Sequence, residues 1–309
     1  MQTLKKTSFV DSKNFKDGIF FALMVLIPTL NFIVMYLCVN INSILLAFKQ
    51  YDVSSATFKF AGFSNFEKFI LEFKTTTVFT TSIKNSLIAA IFSIGVNTTL
   101  TIVFALYIYH KRFAHNFFKI ILFAPSIISS IVLVKVFAMF SDEAIPNILV
   151  SVFNVEIKGL LADVNTRWSM IIFYNIWSGF GASLLVYVGS MNNISESVSE
   201  AAKLDGANII QETMHVTIPL VYPTIVTYIT AGMATLLTNQ LSLYSFYGNA
   251  ADSNLYTVGY WLYKEVKDAG GNIAEFPYIA SVGILCTVFS VPVVYLVRYL
   301  MNKFGPSVE

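Results

Sequence analysis

Six long apolar runs dictate what this chain can become. They lie near residues 18–48, 80–109, 118–140, 168–190, 219–243 and 277–301. A helix rising 1.5 Å per residue crosses about 30 Å of hydrocarbon in about twenty residues, so each run is long enough to span a bilayer. Hydrocarbon offers the backbone no hydrogen-bond partner, so spanning segments of this kind are helical. The composition agrees: 12% of the residues are charged, against about 25% in soluble globular domains. The expected fold class is an all-α membrane protein with six transmembrane helices.

The first run follows Lys5, Lys6, Lys13 and Lys16 and so imitates a secretory leader. It continues far beyond the roughly 7–15 residues of a leader's apolar core, and no small-residue cleavage site follows. A retained helix is expected. The longer runs leave room for tilt. An inside N-terminus places residues 1–17, 110–119, 191–218 and 298–309 in the cytoplasm. Those segments carry 10 Lys and Arg against 8 in the outer loops 49–79, 141–167 and 244–276, with 7 acids inside and 11 outside. Basic residues favour the cytoplasmic side, so both termini are expected there. The domains are then a cytoplasmic N-terminal segment (1–17), a six-helix domain (18–301) with a polar cytoplasmic loop (191–218), and a cytoplasmic tail (302–309).

A net charge of +2 gives no basic field of the kind nucleic acid requires. Cys38 and Cys286 both fall inside apolar runs and read as small buried residues rather than a disulfide or metal pair. No cluster of His, Cys, Asp and Glu has metal-ligand spacing, and His110, His115 and His215 all sit in the expected cytoplasmic loops. Lys135 is the one charge clearly inside a run. Either it has a function there, or its long stem carries the ammonium to the outer headgroups. No Asp or Glu is expected deep in a span, which weighs against a proton or sodium relay.

Asn31, Asn40, Asn42, Asn97, Thr98, Thr99, Asn175, Asn239 and Gln240 place polar groups inside the runs. Two readings stand: hydrogen bonds between helices, or a water-lined route for a polar solute. Gly179, Gly181, Ala182 and Ser183 would let the fourth helix pack closely.

Between the fourth and fifth runs lies EAAKLDGANIIQETMHVTIP, Glu200 to Pro219. Ser197 with Glu200 fits a capping box, and Ser195 competes as N-cap. Ala201, Ala202, Lys203 and Leu204 favour helix. Gly206 permits a sharp bend. Asp205 is expected to cap a second helix, with Ala207, Ile210 and Met214 on one face. Pro219 suits the first turn of the fifth membrane helix. The outcome is two short helices joined by a bend, a shape suited to a partner's groove or to the lipid headgroups.

Glu200-Ala201-Ala202, Asp205-Gly206-Ala207 and Pro219 resemble the EAA signature of binding-protein-dependent ABC importer permeases. GFSNFEKFI (Gly62 to Ile70), NSL (Asn85 to Leu87), APSIISS (Ala124 to Ser130) and IWSGFGASLLVYVGSMNNI (Ile176 to Ile194) are similar to the carbohydrate permeases in kind and order. The resemblance covers about 250 residues, and its EAA loop is the specific part. Thr213 stands where the family usually has phenylalanine, Val216 and Ile218 where Ile and Leu are common, and Ser195 in place of a frequent proline. The first of these changes is expected to alter the surface offered to an ATPase.

The resemblance implies the ABC importer permease (MetI-like) fold in a bacterial cell membrane, surrounded by lipid. It implies four further partners: a second homologous permease, two ATPase subunits, and an extracytoplasmic solute-binding protein that delivers sugar. Glu200, Ala201, Ala202, Asp205, Gly206, Ala207 and Pro219 would form the ATPase-coupling element. The chain has no GxxxxGK[ST] phosphate loop, so ATP and Mg are expected on the ATPase subunits, with no cofactor, metal or catalytic residue here. Amides suit sugar hydroxyls and aromatic faces suit sugar C–H surfaces. Asn97, Asn175, Asn239, Gln240 and Tyr244, with Trp177 as a stacking ring, are the candidate solute path. A permease for a non-sugar solute is the alternative, and a membrane enzyme or scaffold the more distant one.

Overall fold

The chain is represented by a computed structural model that describes residues 13–306, with side chains from Lys16 onward. Lys5, Lys6 and residues 307–309 lie outside the described residues. Among the described residues, six helices are long and apolar enough to cross a membrane. In chain order the elements are α1 (Lys16–Leu46), β1 (Lys49–Asp52), β2 (Thr57–Phe60), α2 (Ser64–Thr75), α3 (Thr77–Tyr109), α4 (His115–Ile127), α5 (Ser130–Phe153), α6 (Arg167–Asn192), α7 (Glu196–Leu204), α8 (Ile209–Ala234), α9 (Leu243–Tyr247), α10 (Val258–Ala269) and α11 (Phe276–Phe304). Short π-helical turns widen α1, α3, α5 and α8.

The described residues form two units, with boundaries inside α2, after α10 and inside α11. The first holds residues up to Phe69 and Gly271–Ile284. Its long helix α1 exposes every side chain from Lys16 to Leu45, as expected of a helix apolar on all sides that meets lipid or another subunit. β1 and β2 form an antiparallel hairpin in register Lys49↔Phe60 to Asp52↔Thr57. This hairpin is the departure from the all-helical expectation among the described residues. Asp52 closes its turn, bonded to Lys59, Ser54 and Ser55, and the Lys59 ammonium holds its carboxyl well below the usual range. Buried Asn65, from the GFSNFEKFI stretch, donates to the carbonyls of Ala47 and Lys49 at 2.8 Å each.

The second unit holds Ile70–Gly270 and the chain from Leu285 onward, and is built around α6. One apolar cluster joins Leu133, Val134 and Phe137 of α5 to Ile171 and Tyr174 of α6, with Leu241, Leu243, Leu255 and Tyr260. The other joins Ala105 and Ile108 of α3, Leu184, Tyr187, Val188 and Met191 of α6, and Val221 and Ile225 of α8. Gly181 gives α4 the close approach the sequence anticipates, since a Cβ there would strike Ser126.

Three boundaries differ from the sequence expectation. The third run, expected as one helix over 118–140, breaks at Ile128 and Ser129 into α4 and α5. Pro125 removes one backbone donor from α4, and Ser126 turns its hydroxyl onto the Phe123 carbonyl, which weakens the last turn. α5 then continues to Phe153 and carries Asp142 and Glu143, which were expected in the outer loop 141–167. Asp142 accepts from the backbone of Leu161 and Ala162 at 2.7 and 3.3 Å, so it binds a loop rather than a relay. Lys135 is exposed near the start of α5. Finally, α8 spans 209–234 instead of 219–243. Its π turn, Thr213–Thr217, precedes Pro219 and loosens the helix where the proline takes away a hydrogen bond.

Candidate functional site: a bent polar loop and a broken helix

The polar loop is a helix, a bend and a helix, as its residues dictate. α7 starts after Ser195, not Ser197. Ser195 has extended backbone (φ −60°, ψ 132°) and the helix is already formed at Glu196. The Ser195 hydroxyl meets that of Ser197 at 2.8 Å instead of capping an amide, so the expected Ser197–Glu200 box does not form. The helix ends in a Schellman motif. Gly206 takes φ +80°, its amide donates to the Lys203 carbonyl, and Ala207 donates to Ala202, each at 3.0 Å.

Asp205 does not cap the second helix, because it is the C-cap of the first. Asn208 caps instead. Its side chain accepts from the Gln211 amide and the Gln211 side chain accepts from the Asn208 amide, both at 2.9 Å. Ala207 therefore precedes the helix and shares no helical face with Ile210 and Met214. Pro219 is the second residue of the α-helical stretch Ile218–Ala234, as expected, but that stretch continues from the π turn and puts the proline ten positions into α8.

Glu200 and Ala201 are exposed and Ala202 is half-buried. Leu204 is 88% exposed and Ile210 74%, beside exposed Val198, Ile209 and Met214. An apolar patch around a glutamate, on a rigid bend, has the form of a docking surface. On its inner side the loop is pinned. Glu212 is only 4% exposed and accepts a hydrogen bond from Ser199 of α7. Half-buried Thr213 meets His110 Nε2 at 3.2 Å. His110 follows α3, so Thr213 faces a membrane helix rather than the outer surface its position implied. A cleft of about 580 Å³ lies here, lined by His110, Lys111, Arg112, Glu196, Glu200 and Lys203 among others.

The second feature is the break after α8. Residues 235–242 leave the helix, and Leu241 and Ser242 both take positive φ, 51° and 58°. Asn239 and Gln240, expected within the fifth span, belong to this break. Non-helical backbone at such depth needs partners of its own, and several candidate path residues supply them. Asn175 donates to the Leu241 carbonyl at 3.0 Å and to Ile171 at 2.8 Å. Asn239 accepts from the Leu241 amide at 2.9 Å. Gln240 buries its side-chain oxygen without a hydrogen-bond partner.

Asn97 ties α3 to α6 through the Ile176 carbonyl at 3.3 Å, accepts from Thr101, and occupies the space where a Cβ on Gly179 would stand. Trp177 stacks on Phe137 with centroids 6.2 Å apart, and Tyr244 meets Tyr263 edge-on at 4.7 Å. The six candidates lie on α3, α6, the break and α9, and five of them already have a hydrogen-bond or ring partner there.

Other residues of the site escaped sequence reading. Thr257 donates to the Asn239 carbonyl at 2.9 Å, and a Cβ on Gly259 would collide with the Thr238 carbonyl. Asn85 donates to the carbonyls of Asn254 and Tyr256 at 2.8 and 2.9 Å, while the Ser86 hydroxyl accepts from Val258 at 3.0 Å. The NSL stretch was the visible signal for that pair. Arg167, nearly buried, pairs with Asp252 in the same loop. Tyr247 donates to Leu161 at 3.0 Å, and burial pushes its phenol up to about 12. A groove of about 730 Å³ runs between α8 and α11, lined in part by Thr227, Thr230, Arg298 and Asn302.

The sequence matches the family described as binding-protein-dependent transport system inner membrane component over residues 97–308. The chain belongs to that family. Among relatives of this permease, the arabinooligosaccharides transport system permease protein AraP of Bacillus subtilis is 23% identical over 284 residues, covering 90% of this chain and 86% of that protein. AraP of Halalkalibacterium halodurans is 24% identical over 198 residues, covering 63% of this chain and 60% of that protein. A crystal structure of a bacterial ABC transporter involved in import of the acidic polysaccharide alginate shares the fold, with TM-score 0.74, 20% identity, and coverage of 95% of this chain and 98% of that one. A crystal structure of the bacterial alginate ABC transporter in complex with its alginate pentasaccharide-bound periplasmic protein matches with TM-score 0.73 at 20% identity, covering 97% of this permease and 100% of that chain. The permease is a non-catalytic, multi-pass cell-membrane protein.

Proposed function

We propose that this permease is one membrane half of an ATP-driven importer for sugars, oligosaccharides foremost, received from an extracytoplasmic solute-binding protein. The observation that carries the reading is the pinned, bent loop with Glu200 exposed at the mouth of its cleft and apolar side chains exposed on its outer side. Such a surface fits the groove of an ATPase subunit, and the relatives' named solutes and the binding protein crystallised with the alginate transporter support the rest. Two ATPase subunits hold ATP and Mg, a second homologous permease completes the pathway, and the loop and both termini face the cytoplasm. ATP-driven closure of the ATPase pair shifts the population between inward- and outward-facing packings through this loop. Asn97, Asn175, Trp177, Asn239, Gln240 and Tyr244 line or support the solute path, with Asn239 the most accessible amide.

The test is uptake of labelled arabino-oligosaccharide by cells carrying Glu200→Ala or Gly206→Val. Both should abolish uptake, the first by removing a charged contact and the second by blocking positive φ. Retention of both uptake and ATPase assembly in the two variants would remove the coupling role.

A further inference from the structure

We propose that His110 and Thr213 give the polar loop a second output, so that its motion reaches α3 as well as α8. This rests on reading the loop as the ATPase-coupling element. Neither residue touches solute or nucleotide; both are positioning residues. Covalent connection alone links α7 only to its sequence neighbours, α6 and α8. The structure adds two noncovalent links in consecutive residues. Glu212, nearly fully buried, holds Ser199 of α7 and so makes α7 and the first turn of α8 one body around Gly206. Thr213, the next residue, reaches His110 at the end of α3.

The placement is specific. Ile210 and Met214 point outward and are exposed, whereas Glu212 and Thr213 face in. The π turn begins at Thr213, so the helix is widened where the contact is made. Beyond His110, Ala105 and Ile108 of α3 interlock with Leu184, Tyr187 and Val188 of α6 and with Val221 and Ile225 of α8. A push at Thr213 therefore enters a packed group of three helices. At the far end of α8 the helical ladder stops at residues 235–242, where the chain can yield. This also accounts for the sequence departure at position 213. A hydroxyl stands there because its neighbour is an imidazole.

The test measures whether the end of α3 follows the loop. Lys111→Cys and Lys203→Cys, both on the cleft, carry spin labels after Cys38→Ser removes the exposed native thiol. The distance between labels is read in the assembled complex, without nucleotide and with ATP bound. With Thr213 and His110 intact the distance should stay within the about 1–2 Å of ordinary interface adjustment. Thr213→Val and His110→Leu should each let it shift beyond that on ATP binding. Thr213→Ser, which keeps the hydroxyl, and His110→Gln, which puts a side-chain amide in place of the imidazole nitrogen, should restore the fixed distance. A distance that shifts in the parent pair, or stays fixed in Thr213→Val and His110→Leu, overturns the inference. Failure of any ATPase to copurify with the parent chain would defeat the coupling reading itself, and this inference with it.

Discussion

Asn175 on α6 donates its side-chain amide to the main-chain carbonyl of Leu241, 3.0 Å away, in the broken segment that follows α8. Leu241 is 1% exposed and, with Ser242, holds a backbone conformation that costs about 1–2 kcal/mol per residue. The amide is thus spent on the backbone of the break. Asn175→Leu keeps the bulk and removes the donor, leaving a buried carbonyl unpaired. It should destabilise the protein by about 1–3 kcal/mol, read as a lower melting midpoint in detergent. Ser242→Gly, which relieves positive φ, should hold or raise that midpoint. A wild-type midpoint in Asn175→Leu would show that the carbonyl finds another partner.

Gly206 and Gly259 are needed for different reasons, and alanine separates them. At Gly206 the backbone has φ +80° but nothing stands within 4 Å of an added Cβ. Gly206→Ala should cost only the about 1–2 kcal/mol of a left-handed non-glycine residue. At Gly259 the backbone of Thr238 and Asn239 lies within 2.7 Å of where a Cβ would stand. Gly259→Ala must displace the break itself and should leave little folded protein, measured as the monodisperse fraction on gel filtration. Equal yields for the two variants would contradict the close approach at Gly259.

Much of this architecture was open to reading because hydrocarbon imposes harsh rules. Six runs of apolar residues admit one answer, and the bend at Gly206 follows from a helix former run stopped by glycine. The breaks were hidden. Ile127-Ile128-Ser129-Ser130 is as apolar or small as the helices around it. Thr235 to Ser242 carries Asn239 and Gln240, but polar amides also occur within intact helices, and the partners that let the chain leave the helix there, Asn175 and Thr257, are far away in sequence. Asp205 has the chemistry of an N-cap but serves as the C-cap of the preceding helix, whereas Asn208 with Gln211 carries the full reciprocal signature. The solute path was the least legible part. An amide that satisfies broken backbone and an amide that binds a hydroxyl look alike in sequence.

His110 should respond to acid in a defined direction. Burial lowers its pKa below the ordinary 6.5, with Glu212 opposing and Arg112 and Lys203 assisting. The folded protein therefore prefers the neutral ring. Above pH 6.5 its contribution to stability is fully present, and it is lost as pH falls below 6.5, where the unfolded chain takes the proton first. Imidazole NMR of protein carrying His115→Asn and His215→Asn should place the titration of His110 below 6.5. Glu212→Gln removes the opposing charge and should lower it further. A midpoint above 6.5 would mean that Glu212 outweighs burial.

Ser199 and Glu212 allow a sharper test, because the order of three variants is fixed by which group is left unpaired. Ser199→Ala takes the hydroxyl donor from a carboxyl that is 4% exposed, and the loss of one such hydrogen bond costs about 1–3 kcal/mol. Glu212→Gln keeps an oxygen for the Ser199 hydroxyl and should cost less. Glu212→Leu removes the buried polar group altogether, and the half-buried serine can turn to water, so this change should also be milder than Ser199→Ala. Melting midpoints and the rate of proteolysis between Ser195 and Gln211 give the order. If Glu212→Leu proved the worst of the three, the carboxyl would have to be satisfied by more than Ser199, and the pin would belong to a wider polar network reaching across the cleft.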